Sequence, residues 1–187
     1  MVMRYPEGHK EAVRERIVHA ASEALRQSGV AGISIPALMK QVGLTHGGFY
    51  AHFEDRDELV GAAVRAAADG TAADVFAQDL PIAQTLGRYL SRAHLEHPGQ
   101  GCVLAALGTD GARQPAKVRG AFADVARGFL RLVEGKLNPG RKAKQPSDEA
   151  LVRGATMIGA IVLGRLVDDP RLADRILAAA RKTTTHH

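Results

Sequence analysis

Apolar positions recur along most of this chain every three to four residues, the spacing that lines one face of an α-helix. From His9 to Ser28 they fall at Val13, Ile17, Ala20, Ala21, Ala24 and Leu25, with Gly29 placed as a C-terminal stop. The run Ile35, Leu38, Met39, Val42 predicts a second, short helix capped by Ser34. Pro36 is tolerated in its first turn, where a missing N–H has no partner to lose. Gly43 breaks the run, and Thr45 is placed to cap a third helix ending near His52. Asp55 followed three residues later by Glu58 is a capping-box pattern that opens a long fourth helix through Leu59, Ala63 and Val64.

Beyond Gln78 the texture changes. Pro81 starts a helix through Leu86, Tyr89 and Leu90, His97-Pro98-Gly99-Gln100-Gly101 reads as a turn, and a short apolar segment runs from Cys102 to Leu107. A long amphipathic helix from about Lys117 to Leu137 carries Val118, Phe122, Val125, Phe129, Leu132 and Val133. A basic, apolar-free linker from Asn138 to Pro146 leads into two last helices, 147–167 and 170–182. The first of these is apolar over more of its surface than one buried stripe requires, through Leu151, Met157, Ile158, Ile161, Val162 and Leu166, which predicts an interface. Strand signals are nearly absent, so the expected class is all-α.

At 187 residues the chain can bury a substantial core, and no apolar run approaches the roughly 18 residues that span a bilayer. The charged N-terminus is unlike a signal peptide, so a soluble, cytoplasmic protein without membrane partners is expected. The single cysteine, Cys102, excludes an intramolecular disulfide and a multi-cysteine zinc site, which suits a reducing compartment. Net charge is +5, yet it is unevenly placed: residues 1 to 56 carry seven Lys and Arg against six Asp and Glu, whereas residues 101 to 187 carry fifteen against eight. Charge therefore does not mark the first segment as a nucleic-acid ligand, although four histidines lie in it.

The mark is the motif. Helix, tight turn at Gly43-Leu44-Thr45, then a short helix with Phe49, Tyr50 and Phe53 has the spacing of a DNA-reading helix-turn-helix. Phe49 and Phe53, four apart, are expected to pack against each other inside it. The adjacent Gly47 and Gly48 cost helix stability, which close approach of backbone to DNA would justify.

These first 60 or so residues resemble the N-terminal DNA-binding domain of the TetR family of transcriptional regulators. The resemblance is carried by Leu25-Arg26-Gln27-Ser28-Gly29, by the Ser34 to Val42 helix, and by Gly43-Leu44-Thr45 leading to Phe49-Tyr50-Ala51-His52-Phe53 with Asp57-Glu58-Leu59 behind. It implies that Thr45, His46 and Gly47 form the tip that enters the major groove, and that Tyr50 and Ser34 contact phosphates. His52, Arg56 and Lys40 are further phosphate candidates. Family members often carry lysine where His46 stands; an imidazole still offers a base edge one donor and one acceptor.

Pro6 and Gly8 before the first periodic segment mark a flexible arm at 1–8, and 183–187 reads as a disordered or appended tail; the resemblance further implies a DNA-binding domain at 9–54 and a helical ligand-binding and dimerisation domain at 55–182. The implied function is a homodimeric repressor on a palindromic operator, released by a small-molecule effector, with the two C-terminal helices (147–182) as the dimer contact. Candidate pocket residues are Phe76, Leu86, Tyr89, Leu90, Leu104, Phe122, Val125 and Phe129, which serve equally well as core. Gly101-Cys102 resembles a subgroup with oxidant- and electrophile-responsive repressors, so Cys102 is a second candidate sensor. No catalytic constellation or phosphate loop is present, His94 and His97 have no clear further ligand, and neither metal nor cofactor is expected. A rival expectation is a helical small-molecule-binding protein whose N-terminal motif no longer engages DNA.

Overall fold

The computed structural model describes residues 8–77, 80–141 and 144–185; the expected arm before Gly8, two residues of the basic linker and the last two histidines lie outside them. Among the described residues the fold is all-helical. Nine α-helices are α1 His9–Ser28, α2 Ile35–Gln41, α3 Arg56–Val75, α4 Ile82–Tyr89, α5 Arg92–Glu96, α6 Val103–Gly111, α7 Ala116–Leu137, α8 Asp148–Leu166 and α9 Pro170–Thr185. Short 3-10 turns occupy His46–Ala51 and Pro98–Gln100.

Local chemistry accounts for most boundaries. The Ser34, Ser91 and Ser147 hydroxyls accept from the N–H three residues on, at 3.4, 3.1 and 3.3 Å, and Asp55 Oδ1 accepts from Glu58 N at 2.6 Å. The Glu58 carboxylate reaches back one residue further than a simple capping box, taking the Glu54 N–H at 2.7 Å. α1 stops at Gly29, whose φ of 77° suits glycine alone at little cost. α2 ends in a Schellman motif: Gly43, at φ 75°, lets Leu44 N donate to Met39 O at 2.8 Å and its own N–H to Lys40 O at 3.1 Å.

The third helix departs from expectation. His46–Ala51 is a 3-10 helix rather than an α-helix, and Thr45 precedes it without a side-chain cap. Two consecutive glycines and only six residues before Phe53 leave no length for α-helical propagation. The separate five-residue α5 and the continuation of α9 to Thr185 were also not expected.

α3 is the spine. It packs on α1 on one side and on α7 on the other, while α8 lies against α7, α6 and α5 and is paired with α9. One continuous core runs through these contacts, from Ile17, Leu25 and Met39 through Leu59 and Val64 to Tyr89, Phe129, Met157 and Ile161.

Candidate nucleic-acid interface and ligand cavity

The interface is built on two stacked rings. Phe49 and Phe53, fully buried, lie 5.4 Å apart at 23°, and Arg14 of α1 covers the Phe53 ring at 4.8 Å. Burial of each ring is worth about 1.5–3 kcal/mol, which locks the 3-10 helix to α1 and α2 despite its glycines. With those rings inside, the opposite edge must face out: Thr45, His46 and Gly47 are exposed, and Tyr50 is 65% exposed. The Tyr50 ring stands edge-on to Phe49 at 5.2 Å and to His46 at 6.2 Å, so its hydroxyl is presented from a fixed stem.

The other candidates divide. Lys40 and Ser34 are exposed on α2, the Ser34 hydroxyl already serving as the cap. Arg56 donates to the carbonyl of Val30 and so braces the turn between α1 and α2. His52 closes the 3-10 helix half-buried, its Nδ1 enclosed without a hydrogen-bond partner. Burial first, and then the charges of Lys10, Arg14 and His9, hold its pKa below the ordinary histidine value.

Long-range polar pairs add to the shared apolar core in joining this unit to the rest. Lys117 at the start of α7 bridges Asp55 at 3.0 Å; Arg26 Nε donates to Gly99 O at 2.6 Å; Asp110 Oδ2 accepts from Val30 N at 3.4 Å. The Glu58 N–H first, and then the Lys117 ammonium, draw the Asp55 carboxyl below its usual range, while the hydrogen bond to Asp55 raises the Lys117 ammonium above its own. Nothing in the sequence marks these partners, because each charged residue had many candidates.

A cavity of about 540 Å³ opens between α3, α7 and the start of α6. Ala68, Ala72, Phe76, Val103, Leu104, Val125 and Phe129 make an apolar floor, and Arg65, Asp69, Asp124 and Arg131 stand among its polar lining. Arg65 bridges Asp124 at 3.4 Å across α3 and α7. Of the predicted pocket residues, Phe76, Leu104, Val125 and Phe129 line it. Leu86, Tyr89, Leu90 and Phe122 do not: all four are buried in the core, Phe122 filling the space beside Gly111. A second cavity of about 180 Å³, with Asp74, Arg88, Ser91, His94 and His97, shares Thr71 and Cys102 with the first.

Cys102 is thus buried in a wall common to both cavities. Its N–H donates to His94 Nε2 at 2.9 Å, so that nitrogen is the acceptor and Nδ1 carries the proton given to Tyr89 O at 2.6 Å. Burial lowers the His94 pKa to about 4, keeping the ring neutral. The Tyr89 hydroxyl, fully enclosed and without a nitrogen or oxygen partner, lies beside the thiol, and burial followed by that thiol pushes its pKa up. Among the described residues no three His, Cys, Asp or Glu side chains are grouped to hold a metal, and no helix is long and apolar enough to cross a membrane.

An exposed edge on a packed helix-turn-helix, set on a larger helical body with a cavity, is the architecture of a helix-turn-helix DNA-binding regulator. Residues 17–63 match the family model of the bacterial regulatory proteins of the tetR family. A TetR transcriptional regulator from Chloroflexus aurantiacus is 26% identical, with a TM-score of 0.71 over 95% of this chain and 96% of that one. The reduced form of NemR from E. coli has a TM-score of 0.73 at 19% identity, covering 93% and 95% of the two chains. A TetR-family regulator from Cytophaga hutchinsonii reaches 0.76 at 16% identity over 94% of each. The last two likenesses are of fold alone. No curated protein matches the chain.

Proposed function

We propose that this TetR-family regulator is a non-enzymatic, cytoplasmic homodimeric repressor that leaves a palindromic operator when a small apolar or amphipathic molecule fills the cavity between α3 and α7. The observation that carries this reading is the position of α3. It begins five residues after the 3-10 reading helix ends, and its later turns form one wall of the cavity. A ligand that binds more tightly when α3 and α7 are spread shifts the population away from the DNA-competent form; equal affinity for both would shift nothing. Residues 9–54 would then act as the reading head and 55–182 as the sensing and dimerising domain. Exposed Leu151, Val152, Leu163 and Leu166 on α8 and Leu172 on α9 support pairing of two copies through these helices. The test is a gel shift on the DNA upstream of the chain's own gene. Binding that Tyr50→Ala leaves undiminished would refute the phosphate role of Tyr50, and a cavity-blocking Val125→Trp that still releases DNA with every active compound would refute the sensor site.

A second reading is favoured by one feature, the place of Cys102 in the wall between both cavities. Here an electrophile alkylates the thiol, and the bulk it adds replaces reversible ligand binding. Treatment of the purified protein decides it: a Cys102→Ala chain that responds like the wild type rejects the covalent route.

A further inference from the structure

The reading head brings little fixed charge to a polyanion, and much of that charge is committed internally. Arg56 is held by Val30 O, Arg26 by Gly99 O, and Arg14 pairs with Glu58 at 3.1 Å while covering Phe53. Lys10 stands one turn before Arg14, on the same face of α1, and is exposed. That face meets the end of the reading helix, because Phe53, beneath Arg14, directly follows His52. His52 therefore feels the charges of Lys10, Arg14 and His9 on α1. On its other sides, Tyr50 of its own helix, Glu54 and Glu58 at the head of α3, and Lys117 of α7 line one concavity of about 490 Å³ with it. Both acids already have partners. Glu58 holds Arg14 and the Glu54 N–H, and Glu54 lies 4.0 Å from Lys117.

We propose that the DNA-facing surface extends from the reading helix onto the first turns of α1, where Lys10 and His52 together grip the duplex backbone and His52 takes up a proton as a phosphate arrives. In the free protein burial first, and then the neighbouring cations, oppose an imidazolium at His52. A phosphate set against the same cluster reverses that balance and gains a charge-assisted N–H donor. A nearly neutral head thus acquires charge only when DNA is present, and affinity rises as pH falls.

The experiment uses the full chain and fluorescence anisotropy with a duplex of about 30 bp from upstream of its own gene and a scrambled duplex of equal length. Affinities are read at pH about 6 and about 8 at constant ionic strength. Wild type is expected to bind about 3–10-fold more tightly at the lower pH, since up to one proton is taken up per site across that window. His52→Gln should lose most of this dependence, so that its affinities at the two pH values converge. Lys10→Gln, at an exposed position that folding does not need, should weaken both duplexes alike and lower the salt slope by about one. A His52→Gln chain with unchanged pH dependence, or a Lys10→Gln chain with wild-type affinity and salt slope, overturns the proposal. Loss of binding by Tyr50→Ala alone would leave DNA binding standing and reject this clamp, whereas a wild type that binds neither duplex rejects both.

Discussion

The Arg26 guanidinium reaches out of the last turn of α1 and donates to the Gly99 carbonyl, 2.6 Å away and 73 positions later in the chain. Gly99 is buried, and the Gln27 side chain fills the place its Cβ would take, at 2.7 Å. Three residues on stands Cys102, in the wall of both cavities. The end of α1 and the Pro98–Gln100 turn are thus held together by packing of Gln27 on Gly99 and by a charged donor on a backbone oxygen.

Arg26→Ala should therefore do two things. It leaves the Gly99 carbonyl short of a partner, costing about 1–2 kcal/mol of stability. It should also blunt the coupling between cavity and DNA, so that an effector still binds but releases less operator. Urea unfolding checks the first effect and anisotropy with saturating effector the second; full coupling in the variant would show that α3 alone transmits.

Two glycines should respond in opposite ways. A Cβ at Gly111 would sit 2.5 Å from the Phe122 ring, so Gly111→Ala should destabilise by about 1–3 kcal/mol, seen as a lower melting temperature. A Cβ at Gly47 meets nothing within 4 Å. Gly47→Ala should leave melting unchanged or raised, because alanine favours helix, yet weaken DNA binding if the duplex backbone comes close at that tip. Unaltered affinity would mean that the tip stands off the groove.

Glu134 gives a pH signature. Its carboxylate accepts from the Ser147 hydroxyl at 2.6 Å, the Ser147 N–H at 2.9 Å and Asn138 Nδ2 at 3.0 Å, and pairs with Arg141 at 2.5 Å. Hydrogen bonds to Ser147, then Arg141, bring its pKa from 4.5 to about 2. A depressed carboxyl pKa stabilises the fold above the unfolded value and loses that contribution as pH falls through the folded one. The stabilisation should accordingly be complete above pH 4.5 and fade toward about 2. Urea midpoints over this range should fall less steeply for Glu134→Gln than for wild type; parallel curves would remove Glu134 as the source.

Leu163 and Leu166, 55% and 75% exposed on α8, test the dimer. The double change to Glu should preserve helicity by circular dichroism, since neither side chain is in the core. Sedimentation should then give the mass of one chain, with operator affinity lost along with the second half-site. A dimer of unchanged mass would place the contact elsewhere.

What was legible in the sequence was local. Ser34, Asp55 and Ser147 announce their helices because a cap is satisfied within three residues, and Gly29 and Gly43 announce ends for the same reason. The 3-10 form of His46–Ala51 was hidden because Phe49, Tyr50 and Phe53 match a short α-helix almost as well. α5 has only Leu95 as a large apolar residue, too few to show a period. Tyr89 and Phe122 look like cavity residues for a plain reason: a core position and a cavity wall ask for the same apolar side chain, and only the packing of α4 and α6 against α7 tells them apart. For the reading head, motif spacing placed Thr45, His46, Gly47 and Tyr50 on an exposed edge, whereas the bracing of Arg56 by Val30 depends on a fold that brings residues 26 apart together.

Arg165 lies on α8, the helix with the exposed leucines, yet its guanidinium points inward. It donates to His94 O at 2.7 Å, Leu95 O at 3.1 Å and Ala105 O at 3.3 Å, touching α5 and α6 at once. Those carbonyls flank the loop and helix start that hold Cys102. In the proposed dimer, a rotation of α8 against the second copy would not stay at the subunit boundary: through Arg165 it would pull on the wall that both cavities share.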